Sequence, residues 1–234
     1  MTLVVSGALA RPASAPTVTL SSAKLVAHWK ESWLTGTVTF SGSVSAAAQA
    51  QVEAALRPVA RSGSPAASAT LSTTPTGSFS GTLKLPARML PGKYQLSVTA
   101  TVAGTSSVPV TRVLVNPAPE EGIVDRAYAS LTKTSSQINT ASSPRHDLWV
   151  HYRFVVAPKV RNVQVKWHSP NFRWCGQKIY PYKATISSKV ASTPTPLANG
   201  VWFAYLFSSK GVAIKRVRVR IAGAPSRPGA DLCR

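Results

Sequence analysis

Val201-Trp202-Phe203-Ala204-Tyr205-Leu206-Phe207-Ser208-Ser209-Lys210-Gly211-Val212-Ala213-Ile214-Lys215-Arg216-Val217-Arg218-Val219-Arg220-Ile221 reads as a β-hairpin. Its first arm, Val201 to Phe207, is continuously apolar. Ser208 to Gly211 forms the turn, with glycine where a positive φ is needed. In the second arm Val217, Val219 and Ile221 alternate with Arg216, Arg218 and Arg220. That period of two belongs to a strand with one buried face and one wet face. The register of the first arm stays open. A two- or four-residue turn pairs Phe203 with Arg216 and leaves Phe203, Tyr205 and Phe207 outside. A type I turn with a bulge at Gly211 puts Trp202, Ala204 and Leu206 outside instead.

The same grammar extends outward from this hairpin. Val163, Val165 and Trp167 alternate with Gln164, Lys166 and His168, and Ser169-Pro170-Asn171 then turns the chain into a return segment from Phe172 to Ile179. Leu148, Val150, Tyr152, Phe154 and Val156 line one face of another strand, with Trp149, His151, Arg153 and Val155 opposite. In the first half, Thr35 to Phe40, Phe79 to Leu85, and Tyr94-Leu96-Val98-Ala100 repeat the pattern. Val108, Val110, Val113 and Val115 follow, with a phase slip at Thr111-Arg112 that predicts a bulge. Ala46 to Leu56 is the best helix candidate, but it lacks a cap and ends in alternation, so its end is read as a strand. The expectation is an all-β chain of two consecutive antiparallel β-sandwich domains.

Asn116-Pro117-Ala118-Pro119-Glu120-Glu121-Gly122 separates them, because two prolines block continuation of a sheet. The predicted organisation is a terminus (1–16), a sandwich (17–116), a linker (117–122), a second sandwich (123–222) and a tail (223–234). Within the terminus, Leu3 to Ala10 is a short apolar run followed by Ala13-Ser14-Ala15, which reads as a signal-peptide remnant or a flexible end. Residues 1–118 carry nine Lys+Arg and two acids, residues 119–234 eighteen and five. The second half is therefore the basic one, and it holds most of the aromatics.

Two stretches carry a family resemblance. Gly77-Ser78-Phe79-Ser80-Gly81-Thr82-Leu83-Lys84-Leu85-Pro86 and Leu90-Pro91-Gly92-Lys93-Tyr94-Gln95-Leu96 resemble bacterial Ig-like and prealbumin-like sandwich repeats. The second half resembles the Ig-like domains of secreted, modular actinobacterial proteins, with Gly200-Val201-Trp202 before a strand and a basic alternating last strand. The resemblance implies spacers, stalks or adhesion modules and brings no catalytic residue with it. It also favours Trp202 on the inside. The inter-sheet cysteine pair usual in such domains is missing.

The net charge is +20, with only 7 acids in 234 residues. So few carboxylates leave little material for paired acid/base catalysis or an oxygen-rich metal cage. Gly77 to Gly81 is not a nucleophile elbow, because Phe79 occupies its centre. His146-Asp147 lacks a marked partner serine, and Glu120, Glu121 and Asp125 read as a solvated linker cluster. No enzyme, metal site, cofactor or membrane-spanning helix is expected. In a sandwich the last hairpin shares a sheet with the Val160–Trp167 strand. Its outer face then gathers Arg216, Arg218, Arg220, Lys166 and His168, with Phe203 and Tyr205 in one of the two registers. Such a face is either covered by the rest of the chain or is a ligand surface. Two partners suit a ligand surface. The favoured one is an anionic cell-wall polymer, or another envelope protein, met outside the cell by a spacer or adhesion module. The alternative is nucleic acid.

Cys175 and Cys233 are the two cysteines. In an exported chain they form a disulfide that pins the Pro/Gly-rich tail, closing a loop of about 58 residues and adding about 4 kcal/mol of stability. Peptide mapping without reduction should recover the linked pair; two freely alkylated thiols in secreted protein would exclude it.

Overall fold

A computed structural model describes residues 14–45, 49–60, 64–142, 147–170, 174–190 and 197–223. It divides into two compact units, Met1–His28 with Thr35–Pro117 and Trp29–Leu34 with Ala118–Arg234. Strands β1 (Thr17–Lys30), β2 (Trp33–Ser45), β3 (Gln51–Pro58), β4 (Ala67–Ser72), β5 (Ser78–Lys84), β6 (Gly92–Val102), β7 (Thr105–Ser106) and β8 (Val110–Asn116) come first. They form a three-stranded sheet, β1-β2-β5, and a five-stranded sheet in which β4-β3-β6 continues into both β7 and β8. The period-two pattern delivers Val38, Phe40, Phe79 and Leu83 from the first sheet to the core. The second sheet contributes Val52, Ala54, Leu56, Leu96, Val98 and Ala100. At the corner between the sheets Tyr94 Oη donates to the Leu90 carbonyl at 2.7 Å. A tyrosine bonding back four residues at such a corner is a mark of Greek-key sandwiches.

The later strands are β9 (Ile123–Ser130), β10 (Thr140–Ser142), β11 (Trp149–Val156), β12 (Asn162–His168), β13 (Trp174–Pro181), β14 (Thr185–Lys189), β15 (Gly200–Ser208) and β16 (Ala213–Ala222). They form the sheets β14-β11-β9 and β10-β16-β15-β12-β13. The pairings are antiparallel except β10 with β16, which is parallel. Both sheets feed one apolar core: Val150, Tyr152, Phe154 and Ile186 from one, and Val163, Trp167, Trp202, Leu206, Val219 and Ile221 from the other. Setting aside β7 and β10, the two units share one topology. The first, second and fifth strands make one sheet, and the third, fourth, sixth and seventh make the other. The immunoglobulin sandwich shares this partition except for its fourth strand, which there joins the first, second and fifth.

Three local expectations change. β8 runs in continuous register with β6, without the bulge expected at Thr111-Arg112. Its buried residues are Leu114 and Asn116, while Val113 and Val115 are exposed. Asn116 can sit inside because its Nδ2 donates to the Leu90 carbonyl. His151 lies on the outward side of β11 yet is buried, under the Tyr128 ring that stacks on it at 4.7 Å. In the final hairpin Phe203 pairs with Arg218, not with Arg216. Gly211 has φ 79°, its N–H donates to Ser208 O, and Ser208 N–H donates to Val212 O. That is the type I turn with a glycine bulge, the option expected to expose Trp202. A second extra residue on β16, Ile214, restores the phase between Leu206 and Phe207, so Trp202 is inside after all.

The signal-peptide reading falls on residues 1–16, of which 1–13 lie outside the described residues. Cys233 lies outside them too, and the Cys175–Cys233 bridge with it.

Tyr152 is fully buried, and its hydroxyl has no hydrogen-bond partner among the described residues. Burial pushes this phenol well above its ordinary pKa. An unpaired buried hydroxyl costs about 1–3 kcal/mol. Tyr152→Phe should therefore raise the unfolding free energy by about 1 kcal/mol in a urea titration; a loss of that size would show that the hydroxyl is bonded.

Candidate functional site: a basic, aromatic sheet face

The broad sheet of the second unit presents one face to the core and the other outward. On β16 the outward residues are Arg216, Arg218 and Arg220, all exposed. Across the strand gap, Tyr205 stands opposite Arg216, Phe203 opposite Arg218, and Val201 opposite Arg220. Phe203, Tyr205 and Phe207 are partly exposed, whereas Trp202, Ala204 and Leu206 are buried. β12 adds Lys166 opposite Tyr205 and His168 opposite Phe203. The structure thus brings together all seven of the expected face residues.

Their rings and charges pack closely. Tyr205 stacks on Phe207 with centroids 5.9 Å apart, and Phe203 tilts against Tyr205 at 6.2 Å. The Arg216 guanidinium lies 5.3 Å from the Phe203 centroid, and Lys166 Nζ lies 5.4 Å from that of Phe207. A cation over a ring face is attracted by the ring quadrupole, by about 0.5–1 kcal/mol at exposed sites.

Trp174, at the start of β13, completes the cluster, and sequence reasoning missed it. Its ring meets His168, Tyr205 and Phe207 at 5.0, 5.4 and 6.1 Å, steeply inclined to each, and Lys166 Nζ lies 5.9 Å away. The local backbone explains its position. Gln177 pairs with Lys166 and faces outward, and a residue three places earlier in a regular strand would face the core. The register shifts here: Cys175 pairs with Trp167, Trp174 pairs with His168, and Gly176 is left as the extra residue. Gly176 has φ 72°, the left-handed conformation of a glycine bulge. The bulge turns Trp174 onto the same face as Lys166. The Cys175-Gly176 step is the one sequence signal that marks it.

The face is electrostatically one-sided. None of the five strands β10, β12, β13, β15 and β16 contains an acidic residue. Three of the unit's carboxylates are engaged elsewhere: Asp125 with Arg153, Asp147 with Lys189, and Glu120 with Lys210. Hydrogen bonding to Lys210 and Arg153 holds the Glu120 and Asp125 carboxyls below their ordinary pKa. Same-face residues on a strand repeat at about 7 Å, less than the Debye length of about 8 Å at physiological salt. The potentials of the three arginines therefore add.

His151 lies between two serines. His151 Nε2 donates to Ser130 Oγ at 2.7 Å, Ser130 Oγ donates to Thr132 O, and Ser187 Oγ donates to His151 Nδ1. Ser130 is fully buried and its proton is committed to a carbonyl, whereas Ser187, on the other side of the imidazole, is partly exposed. Burial pushes the His151 imidazole below its ordinary pKa, which keeps it neutral. His146 lies outside the described residues. No group of three His, Cys, Asp or Glu side chains among the described residues could hold a metal, and no described helix is long and apolar enough to cross a membrane.

Fold and face define a β-sandwich protein with an uncompensated basic, aromatic sheet surface. No protein-family model matches the chain, and no curated protein matches it. Among solved structures it is similar to one described as a biofilm associated protein BSP domain, with 16% identity and a TM-score of 0.29. That match covers 89% of this chain and 30% of the other. It is also similar to trypsin-activated alpha-2-macroglobulin from Escherichia coli, with 14% identity and a TM-score of 0.34, covering 94% of this chain and 18% of that one. The chain spans less than a third of either structure.

A side chain at Gly176 meets nothing within 4 Å, so only the positive φ opposes it. Gly176→Ala should cost about 1–2 kcal/mol in chemical denaturation, the penalty of a left-handed L-residue. An unchanged midpoint would mean that the bulge is not held in that conformation.

Proposed function

We propose that this protein is a non-catalytic, Ig-like module of the bacterial cell envelope or of the secreted fraction. It acts as a spacer or adhesion unit and holds an anionic cell-wall polymer on the outer face of its β10-β16-β15-β12-β13 sheet. The observation that carries this reading is the row Arg216, Arg218, Arg220, exposed on β16 in a sheet whose five strands contain no carboxylate. Isolated surface cations are normally balanced by nearby acids; a row with none attracts anions over a distance and keeps them once they arrive. Arginine suits the role because its planar guanidinium meets carboxylate, sulfate or phosphate with two parallel hydrogen bonds. The lone cysteine pair supports placement outside the cell, and the presence of two sandwich units in one chain supports the spacer role.

The row and the net charge can be told apart. Inorganic polyphosphate is the probe, and affinity is measured against salt concentration. Each cation that neutralises a phosphate contributes to the salt slope, by about 0.7–0.9 for nucleic acids. Replacing Arg216, Arg218 and Arg220 together by Ser should lower the slope by about 2 and weaken binding at every salt concentration. Replacing Lys24, Lys84 and Lys93, exposed in the first unit, should do much less. Equal losses from both triple variants would reduce the face to a solvated strand surface.

A further inference from the structure

We infer that Trp174 is the sugar-stacking anchor of this face and that the polymer it takes is an acidic polysaccharide. The inference rests on the polyanion reading above and adds the chemistry of the chain that carries the charge.

The starting point is which rings are left available. Four large aromatic side chains cluster here, and three of them, Phe203, Tyr205 and Phe207, are only partly exposed. Tyr205 and Phe207 stack on each other with centroids 5.9 Å apart, too close to admit a third ring between them. Phe203 carries the Arg216 guanidinium at 5.3 Å, and Lys166 Nζ is shared between Phe207 at 5.4 Å and Trp174 at 5.9 Å. Trp174 differs, being 48% exposed. It is also immobilised. The rings of His168, Tyr205 and Phe207 are inclined to the indole at 76°, 63° and 64°, which supports it from the side without matching its plane. A large exposed aromatic held in place before binding loses little conformational freedom when a ligand lands on it.

One well-exposed platform beside a row of cations selects among polyanions. Single-stranded nucleic acid gains its affinity from successive bases on successive rings, together with phosphate contacts. This face cannot offer successive ring faces. A ring-free polyanion gains nothing from the indole at all. A sugar polymer needs one platform: the C–H-bearing face of a pyranose is apolar, slightly positive, and matches the negative face of an indole in size. With a pyranose on Trp174, Lys166 is the adjacent cation. The arginine row lies two strands further on, beyond the Phe203-Tyr205-Phe207 ladder, at about 5 Å per strand. A polysaccharide with an acidic group on each residue spans that distance with charge at both ends.

Three probes separate the possibilities: polygalacturonate, inorganic polyphosphate and an oligothymidylate, each titrated onto the full chain and its Trp174→Ala and Trp174→Phe variants. Polygalacturonate affinity should fall about tenfold in Trp174→Ala, the loss of one good stacking contact. It should be partly kept in Trp174→Phe, while polyphosphate binding changes less than about twofold. Unchanged polygalacturonate binding in Trp174→Ala, with the thermal midpoint of the wild type, overturns the anchor and leaves the polyanion reading standing. Oligothymidylate binding that is the tightest of the three and is lost in Trp174→Ala overturns the polysaccharide in favour of nucleic acid. Failure of the unaltered protein to bind any of the three removes the polyanion reading itself.

Discussion

The pairing of β15 with β16 governs what the second sandwich shows to solvent. Side chains alternate across a sheet, so a slip of one residue exchanges every buried side chain for an exposed one. Here a slip would bury three arginines and expose Trp202, at a cost far beyond the stability of a small domain. Two extra residues set the phase. Gly211 ends the turn in the left-handed conformation, and Ile214 sits unpaired a little further along. Each alone would invert the relation between the arms; together they cancel. Ile214 is itself buried, so the second irregularity is held in place by the core.

A second constraint is the distribution of charge. Three carboxylates of the second unit, Asp125, Asp147 and Glu120, meet cations at Arg153, Lys189 and Lys210, and none of them lies on a strand of the broad sheet. These pairs are at least partly exposed and add little to stability. Their effect is on the map of the surface. Acids spent elsewhere leave the arginine row unneutralised, and aromatic side chains provide the nearest favourable contact for Arg216 and Lys166.

The sequence allowed the sheet face to be read in part, for reasons that lie in particular residues. Arg216, Arg218 and Arg220 declare their side because period-two alternation with Val217, Val219 and Ile221 admits one reading. Phe203 and Tyr205 were ambiguous, since an all-apolar run has no wet side, and the deciding residue, Ile214, looks like any core isoleucine. Trp174 was hidden for a related reason: counted back from Gln177 it falls on the wrong face, and a left-handed glycine corrects the count. Val113 and Val115 misled in the opposite direction. They have the branched shape of core residues, but Leu114 and Asn116 take the inside, because the Leu90 carbonyl gives the Asn116 amide a partner there. His151 was assigned outward correctly by alternation, and no pattern within its own strand foretells the Tyr128 ring that covers it.

The position of β13 at the end of its sheet has a consequence for how copies of this protein could gather. A free strand edge invites another chain to add to it, and such addition leads to fibres. This edge is poorly suited to that. Its line is broken at Gly176, and it carries Lys178, whose ammonium donates to the Lys189 carbonyl. Sheet-to-sheet growth is therefore discouraged at the very strand that bears Trp174. On a polymer of the kind proposed above, copies would line up as separate beads, joined only through that polymer and released from one another when it is cut.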